Sequence, residues 1–493
     1  MNDKEFRPPQ RAARALPLDP AKGGKRPLWK PIIKKGYLTM ATIAAISTPR
    51  ASGGISVIRI SGENALSAAD KIFTPLSDKK KPSEMEGYTC AYGKIGDGDT
   101  VLDDGVLTVF RAPRSYTGED VVEISCHGGI FVTEQVLRLI LSKGAVPAEP
   151  GEFTKRAFLN GKMSLTQAEA VMDVISAGGR AELRHAAALR DGALFRSIKS
   201  VSDGILQLLA SLAAWVDYPD DDIPAVTDEE ISDTLTAAIK KLDTLLAGYD
   251  SGRILRQGVD TAIVGKPNVG KSTLMNLLAG CERSIVTDIA GTTRDIVEES
   301  VRLGDIVLRL SDTAGIRETG DIVENAGVEL AKKKLDTADL ILAVFDTGEE
   351  LSPEDTEIAE SCREKNAVAI LNKSDREQKL DFSKIGDCFK KSIFCSAREG
   401  TGLDELTSAL EELFQMENIA LDVGVLANER QRSCAENARA AFSEALSAFR
   451  GGATYDAVTV LIDDGENFLL ELTGERASEA VVNEVFSRFC VGK

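Results

Sequence analysis

At 493 residues the chain exceeds what one hydrophobic core organises, and roughly one domain per 100 to 200 residues puts about three domains in it. A content of 43% hydrophobic and 28% charged residues, with no apolar run near the ~18 residues a span requires, excludes a membrane protein, and the scattered cysteines point to free thiols in a reducing cytoplasm. The net charge of −18 excludes a non-specific coat for nucleic acid, and eight cysteines without a CxxC pair, beside only His127 and His185, supply little for zinc.

Residues 1–39 are basic and proline-rich without apolar periodicity, and are expected to be a disordered extension or to lie upstream of the true start at Met40. From Thr42 to about Phe158, β-branched runs such as Ile55–Ile60 and Val121–Ile124 alternate with glycine turns, and Glu134–Leu141 has helical spacing. A mixed α+β domain over 40–158 is expected. Beyond Gly161, apolar residues from Ile198 to Trp215 recur at three- and four-residue steps, and Ile231–Leu246 resumes the period after an acidic run at Asp217–Asp222, read as a solvated connection. From Val259 to about Met416, strand-like runs (Thr261–Val264, Ile306–Leu310, Leu340–Phe345, Ala367–Leu371) alternate with helical stretches, the pattern of a parallel sheet wrapped in helices. Helical spacing returns from Ala427 to Phe489, broken at Gly451-Gly452 and Gly474.

The chemistry is concentrated in the third stretch. Residues 265–272, GKPNVGKS, fit GxxxxGK[ST] between an apolar strand and a helix, the context in which glycines let backbone N–H groups curl around phosphates. Lys271 is expected on the β and γ phosphates and Ser272 on magnesium. Asp312-Thr313-Ala314-Gly315 follows the strand ending at Leu310 and suits a Walker B role, with a glycine N–H for the γ phosphate. Asn372-Lys373-Ser374-Asp375 follows another strand; Asp375 can accept from the N1 and N2 hydrogens of guanine while Lys373 packs under the ring, which selects GTP over ATP. Ser396, Ala397 and Arg398 complete the base pocket. Thr287-Asp288-Ile289-Ala290-Gly291-Thr292-Thr293 occupies the position of a switch loop, with Thr293 as second magnesium ligand. The expected nucleotide set therefore also includes Asn268, Val269, Gly270 and Thr273. Ile316, where Ras-type GTPases keep a water-orienting glutamine, can do no such work, so a carboxylate among Glu318, Asp321 and Glu324 is expected to position water.

These residues resemble the bacterial and organellar tRNA modification GTPase family called MnmE or TrmE over about Met40–Lys493. Beside the GTPase motifs, the likeness rests on Val57–Gly62, Tyr116–Asp120, Pro150–Thr154, Ala157–Lys162, Leu472–Glu475 and Phe489–Lys493. It implies a multidomain α/β plus α fold in which a Ras-like P-loop domain (258–417) is inserted into a discontinuous helical domain (159–257 and 418–493). It also implies an N-terminal domain that binds 5-formyltetrahydrofolate or a related tetrahydrofolate through Arg59, Glu123, Lys162 and Lys493; from the residues alone, Arg59 and Glu123 read equally well as a cross-strand ion pair. Further implications are potassium held by Asn268, Thr287, Ile289 and Thr292, and Glu324 as the water-orienting group. Cys490 is either a nucleophile toward uridine or a plain buried thiol. The implied assembly is a homodimer that joins an FAD-dependent partner in a heterotetramer and modifies C5 of the wobble uridine of tRNA. A ribosome-assembly or regulatory GTPase switch is the rival reading, and a scaffold with a vestigial pocket is disfavoured by the intact Lys271, Ser272, Asp312 and Asp375.

Overall fold

A computed structural model of the protein describes residues 41–76, 80–98, 100–217, 226–249, 252–254, 258–280, 299–304, 306–311, 337–414 and 424–493. The N-terminal tract 1–39 and most of the acidic run lie outside the described residues. No described helix is long and apolar enough to cross a membrane.

The first unit contains β1 (Ile43–Ile46), β2 (Ile55–Ser61), α1 (Ala65–Asp70), β3 (Phe73–Pro75), β4 (Thr89–Asp97), β5 (Thr100–Phe110), β6 (Val121–His127), α2 (Ile130–Ser142), β7 (Val146–Pro147) and α3 (Glu152–Leu159). Its sheet runs β3-β4-β5-β6-β2-β1-β7, with β1 and β7 parallel and the other neighbours antiparallel. The two-residue period of β2 sends Ile58 and Ile60 into a core shared with Ile124, Val136 and Ile140, so α2 covers that face. The intervening Arg59 therefore points to the opposite face, directly across from Glu123 on β6.

The helical unit comprises α4 (Leu165–Ser176), α5 (Arg180–Arg190), α6 (Ala193–Asp217) and α7 (Asp228–Ala247), then three later helices in the chain. One core contains Ile198, Ile205, Leu212, Ile231 and Leu242 together with Leu426, Phe442, Ile462 and Leu469, so segments on both sides of the intervening sheet domain bury a common apolar face. A buried ion pair fastens the two segments: Arg430 meets both carboxylate oxygens of Glu169 at 3.0 and 2.9 Å, and Gln431 donates to Glu169 at 2.7 Å.

Between them stand β8 (Val259–Val264), α8 (Lys271–Ala279), β9 (Glu299–Leu303), β10 (Ile306–Ser311), β11 (Leu340–Asp346), α9 (Pro353–Cys362), β12 (Ala367–Asn372), β13 (Lys391–Phe394) and α10 (Leu403–Leu413). The sheet order β13-β12-β11-β8-β10-β9 is parallel except for the β9–β10 hairpin. β11 and β12 are buried along their whole lengths, as expected of parallel strands covered on both faces, and their carboxyl ends open toward the loops that carry the motifs. The chain ends with α11 (Glu429–Arg450), α12 (Tyr455–Thr473) and α13 (Glu479–Ser487). Gly465 inside α12 costs about 1 kcal/mol in helix propensity. Its bare backbone admits the Phe442 ring, which would lie 2.4 Å from a Cβ at that position.

Candidate functional site

The phosphate loop leaves β8 and turns into α8 through two residues with left-handed backbone, Asn268 at φ +65° and Gly270 at φ +103°. Left-handed residues placed within a turn in this way point successive N–H groups into a common hollow, the arrangement that receives anions. At Gly270 a side chain is excluded by its neighbour as well as by φ: a Cβ would sit 2.2 Å from Asn372 Nδ2. Lys271 Nζ donates to the carbonyls of Gly265 (2.6 Å) and Lys266 (2.9 Å), and its burial lowers its pKa from the ordinary lysine value. Asn268, Ser272 and Thr273 are exposed at the mouth of the loop, where oxygen ligands to a hard cation are useful.

The base loop is tied to the phosphate loop by Asn372. Its amide donates to the Val269 carbonyl (2.7 Å) while its oxygen accepts from Ala397 N–H (3.0 Å), so one side chain at the end of β12 joins three motifs. Lys373, at φ +61°, donates to the Asn268 carbonyl (2.9 Å) and to Asp346 (2.5 Å). Asp375 is exposed and accepts from the Ser396 hydroxyl at 2.7 Å, a bond that holds its carboxyl below the usual carboxylate range. The carboxylate is thus ionised, with one oxygen held by its neighbour. Asp346 and Thr347, whose hydroxyl donates to the carbonyls of Asn372 and Lys373 at 3.0 Å each, were missed by the motif reading. Their signal was the Asp-Thr-Gly that ends the apolar run of β11, where parallel strands present ligand-facing residues.

The switch residues Thr287–Thr293, the Asp312–Gly315 motif and Glu324 lie outside the described residues, as do the other two acidic candidates, Glu318 and Asp321.

The second cluster lies on the far face of the N-terminal sheet. Arg59 donates to Glu123 from Nε and Nη2 at 2.8 Å each, so the cross-strand ion pair allowed by the sequence is present. The guanidinium also lies over the rings of Tyr116 (5.4 Å) and Phe153 (5.5 Å), which the sequence reading had named only within the segments that carry the family likeness, with no role at this site. The C-terminus returns to this face: the Gly492 carbonyl accepts from Ser47 Oγ (3.1 Å) and Arg59 Nη1 (3.5 Å), and the Lys493 carbonyl from Phe153 N–H (3.1 Å). Burial, and then the neighbouring Arg59 charge, depress the Lys493 ammonium. Lys162 is exposed and donates to the Pro113 carbonyl (2.9 Å), on the loop that carries Tyr116. Arginine and lysine side chains suit the carboxylates of a folate tail, a carboxylate suits pterin donors, and the two rings offer an apolar wall. Cys490 is exposed, unlike the buried thiol of one sequence alternative, and its carbonyl accepts from Gly151 N–H at 3.3 Å.

Two family descriptions match the chain: "GTP-binding protein TrmE N-terminus" over residues 42–162 and "MnmE helical domain" over residues 165–490. Among curated proteins, the tRNA modification GTPase MnmE of Thermoanaerobacter pseudethanolicus is 43% identical over 92% of this chain and 99% of its own length. The protein of that name from Bacillus subtilis is 42% identical over 92% of this chain and 100% of its own length. Among solved structures, Era in complex with MgGDPNP and a 16S ribosomal RNA segment overlaps 37% of this chain and 66% of that chain, at 30% identity and a TM-score of 0.25.

Proposed function

Because the chain belongs to the MnmE family of tRNA modification GTPases, we propose that it hydrolyses GTP to drive modification of C5 of a wobble uridine, placing an aminomethyl-type group there with an FAD-dependent partner and a tetrahydrofolate one-carbon donor. The observation that carries the nucleotide part is the Asn372 bridge, which holds the phosphate loop and the guanine-reading loop in one rigid frame. In this reading Lys271 leaves its loop carbonyls to meet the β and γ phosphates, Asp375 accepts from guanine, and Ser272 with Thr293 forms the magnesium site. Asn268, Thr287, Ile289 and Thr292 form the potassium site, and Glu324 orients the attacking water. Bound magnesium and potassium supply positive charge beside the β and γ phosphates, where an arginine finger contributes on the order of 10³ to 10⁵ in rate.

The folate reading assigns Arg59, Lys162 and Lys493 to the donor's carboxylates and Glu123 to its pterin. Its support is the convergence of the C-terminal residues on a cationic face lined by Tyr116 and Phe153. Cys490, exposed beside that face, is the nucleophile proposed for the uridine. We assign the domains as 40–158, 159–257 with 418–493, and 258–417, and the assembly as a homodimer that binds the FAD-dependent partner and tRNA. GTP hydrolysis measured in potassium and in sodium, each with and without 5-formyltetrahydrofolate, tests the scheme. Faster turnover in potassium and calorimetric folate binding are expected. Equal rates in both salts remove the potassium site, and an absence of folate binding favours a switch without tRNA chemistry.

A further inference from the structure

The loop between β11 and α9 carries no nucleotide motif, yet it grips both halves of the nucleotide site. At its start Asp346 holds Lys373, and Thr347 holds the backbone of the base loop. Just beyond it, in the first turn of α9, Asp355, 1% exposed, accepts from Ser352 N–H (3.0 Å), the Ser352 hydroxyl (2.7 Å) and Lys266 Nζ (3.0 Å), all on one oxygen. Glu349 reaches the same ammonium at 3.0 Å. Lys266 is the second residue of the phosphate loop, and its carbonyl is one of the two that receive Lys271 Nζ.

The two lysines of this loop therefore have different tasks. Lys271 has only carbonyl partners among the described residues, and exchanging them for phosphate oxygens is favourable. Lys266 is held between two carboxylates, one of them buried, and leaving them would strand the Asp355 charge in a site where its other oxygen has no hydrogen-bond partner among the described residues. A cation with that constraint stays where it is.

We propose that Lys266, pinned by Asp355, is a positioning residue that fixes the phosphate loop for the β phosphate of the guanine nucleotide. The inference rests on the assignment of residues 265–272 as the phosphate loop. Because the ion pair fixes the loop's backbone and not the base pocket, its loss weakens recognition of the β phosphate while sparing recognition of guanine.

Calorimetric affinities of the full chain for GMP, GDP, GTP and ATP test this in wild type, K266M, K266R, D355N, the double variant K266M/D355N, and K271A. The GDP-over-GMP preference is expected to fall on the order of tenfold in K266M and D355N, the scale of one charged hydrogen bond. It recovers in K266R, and the GTP-over-ATP preference stays at the wild-type value throughout this series. The double variant leaves no buried charge without its partner, so it retains the fold while keeping the reduced GDP preference. A wild-type GDP:GMP ratio in K266M or in the double variant overturns the proposal, as does a general loss of affinity that lowers GMP and GDP alike. K271A separates the two levels: if its GDP:GMP ratio is unchanged, the phosphate-loop assignment fails, whereas a collapse there beside an unchanged K266M removes the clamp alone.

Discussion

Glu466 sits in the middle of α12, 1% exposed, facing α6 in the helical core. One carboxyl oxygen accepts from the Ser202 hydroxyl at 2.6 Å, and the other has no hydrogen-bond partner among the described residues. Burial pushes its pKa up to about 7 from 4.5; Ser202, Lys199 and Arg476 pull it down and Glu475 pushes it further up. Between those two values the folded chain keeps a proton that the unfolded chain has released, so stability falls as pH rises through this window and stays lower above it. A difference of roughly 2.5 units at 1.36 kcal/mol each amounts to about 3 kcal/mol between pH 4.5 and pH above 7. Glu466→Gln keeps the shape and the acceptor for Ser202 and cannot ionise. It is expected to match the wild type near pH 5, where an unpartnered amide replaces an unpartnered carboxyl, and to exceed it by about 1–3 kcal/mol at pH 8.5, once a cost for the amide donors is subtracted. The assay is urea unfolding followed by fluorescence of Trp215, whose ring meets Tyr455 of α12 edge-on at 5.0 Å and so reports the same core. An equal fall in stability from pH 5 to 8.5 in both proteins would refute the argument that this carboxyl is protonated in the fold.

Arg430→Met leaves the Glu169 carboxylate buried without its cation and is expected to cost about 3–5 kcal/mol, read as a lower urea midpoint of the Trp215 signal. Burial works to raise the Glu169 pKa, but Arg430 and Gln431 outweigh it and hold it below 4.5. This pair's contribution is therefore present above the unfolded-state value and disappears as pH falls through the lower folded value; Arg430→Met should flatten that acid limb. His127, exposed and bonded to Asp103 at 2.7 Å, is held above its ordinary 6.5 by that hydrogen bond and charge. With only two histidines in the chain, NMR should resolve a His127 midpoint above 6.5 that returns toward the ordinary value in Asp103→Asn. An unchanged midpoint contradicts the pairing.

The parts legible in the sequence are those whose chemistry is local. GKPNVGKS specifies its own turn because glycine permits the backbone angles and the following helix supplies the N–H groups; Asn372–Asp375 is readable because it ends a strand whose apolar run is unmistakable. Periodicity likewise marked the long helical faces of α6 and α7, and β-branched runs marked β2 and β6 as strands. Periodicity states a face, not a partner. That Arg59 pairs with Glu123 depends on the register of β2 with β6, and that it also meets Gly492, 433 residues away, depends on how the C-terminal helices pack against α3 and β1.

The same limit hid the grip of the 346–355 segment. Asp346, Glu349 and Asp355 resemble ordinary loop and helix-cap acids along the chain, and become partners of Lys373 and Lys266 only because β11 lies beside β8 and β12 in the sheet. By itself, then, the sequence determined the nucleotide-binding chemistry and the element types, since both follow from neighbours a few residues apart. Tertiary structure alone decided which charges meet and which loops share a frame, because those contacts are set by strand order and by helices that return from a distant part of the chain to close a common core.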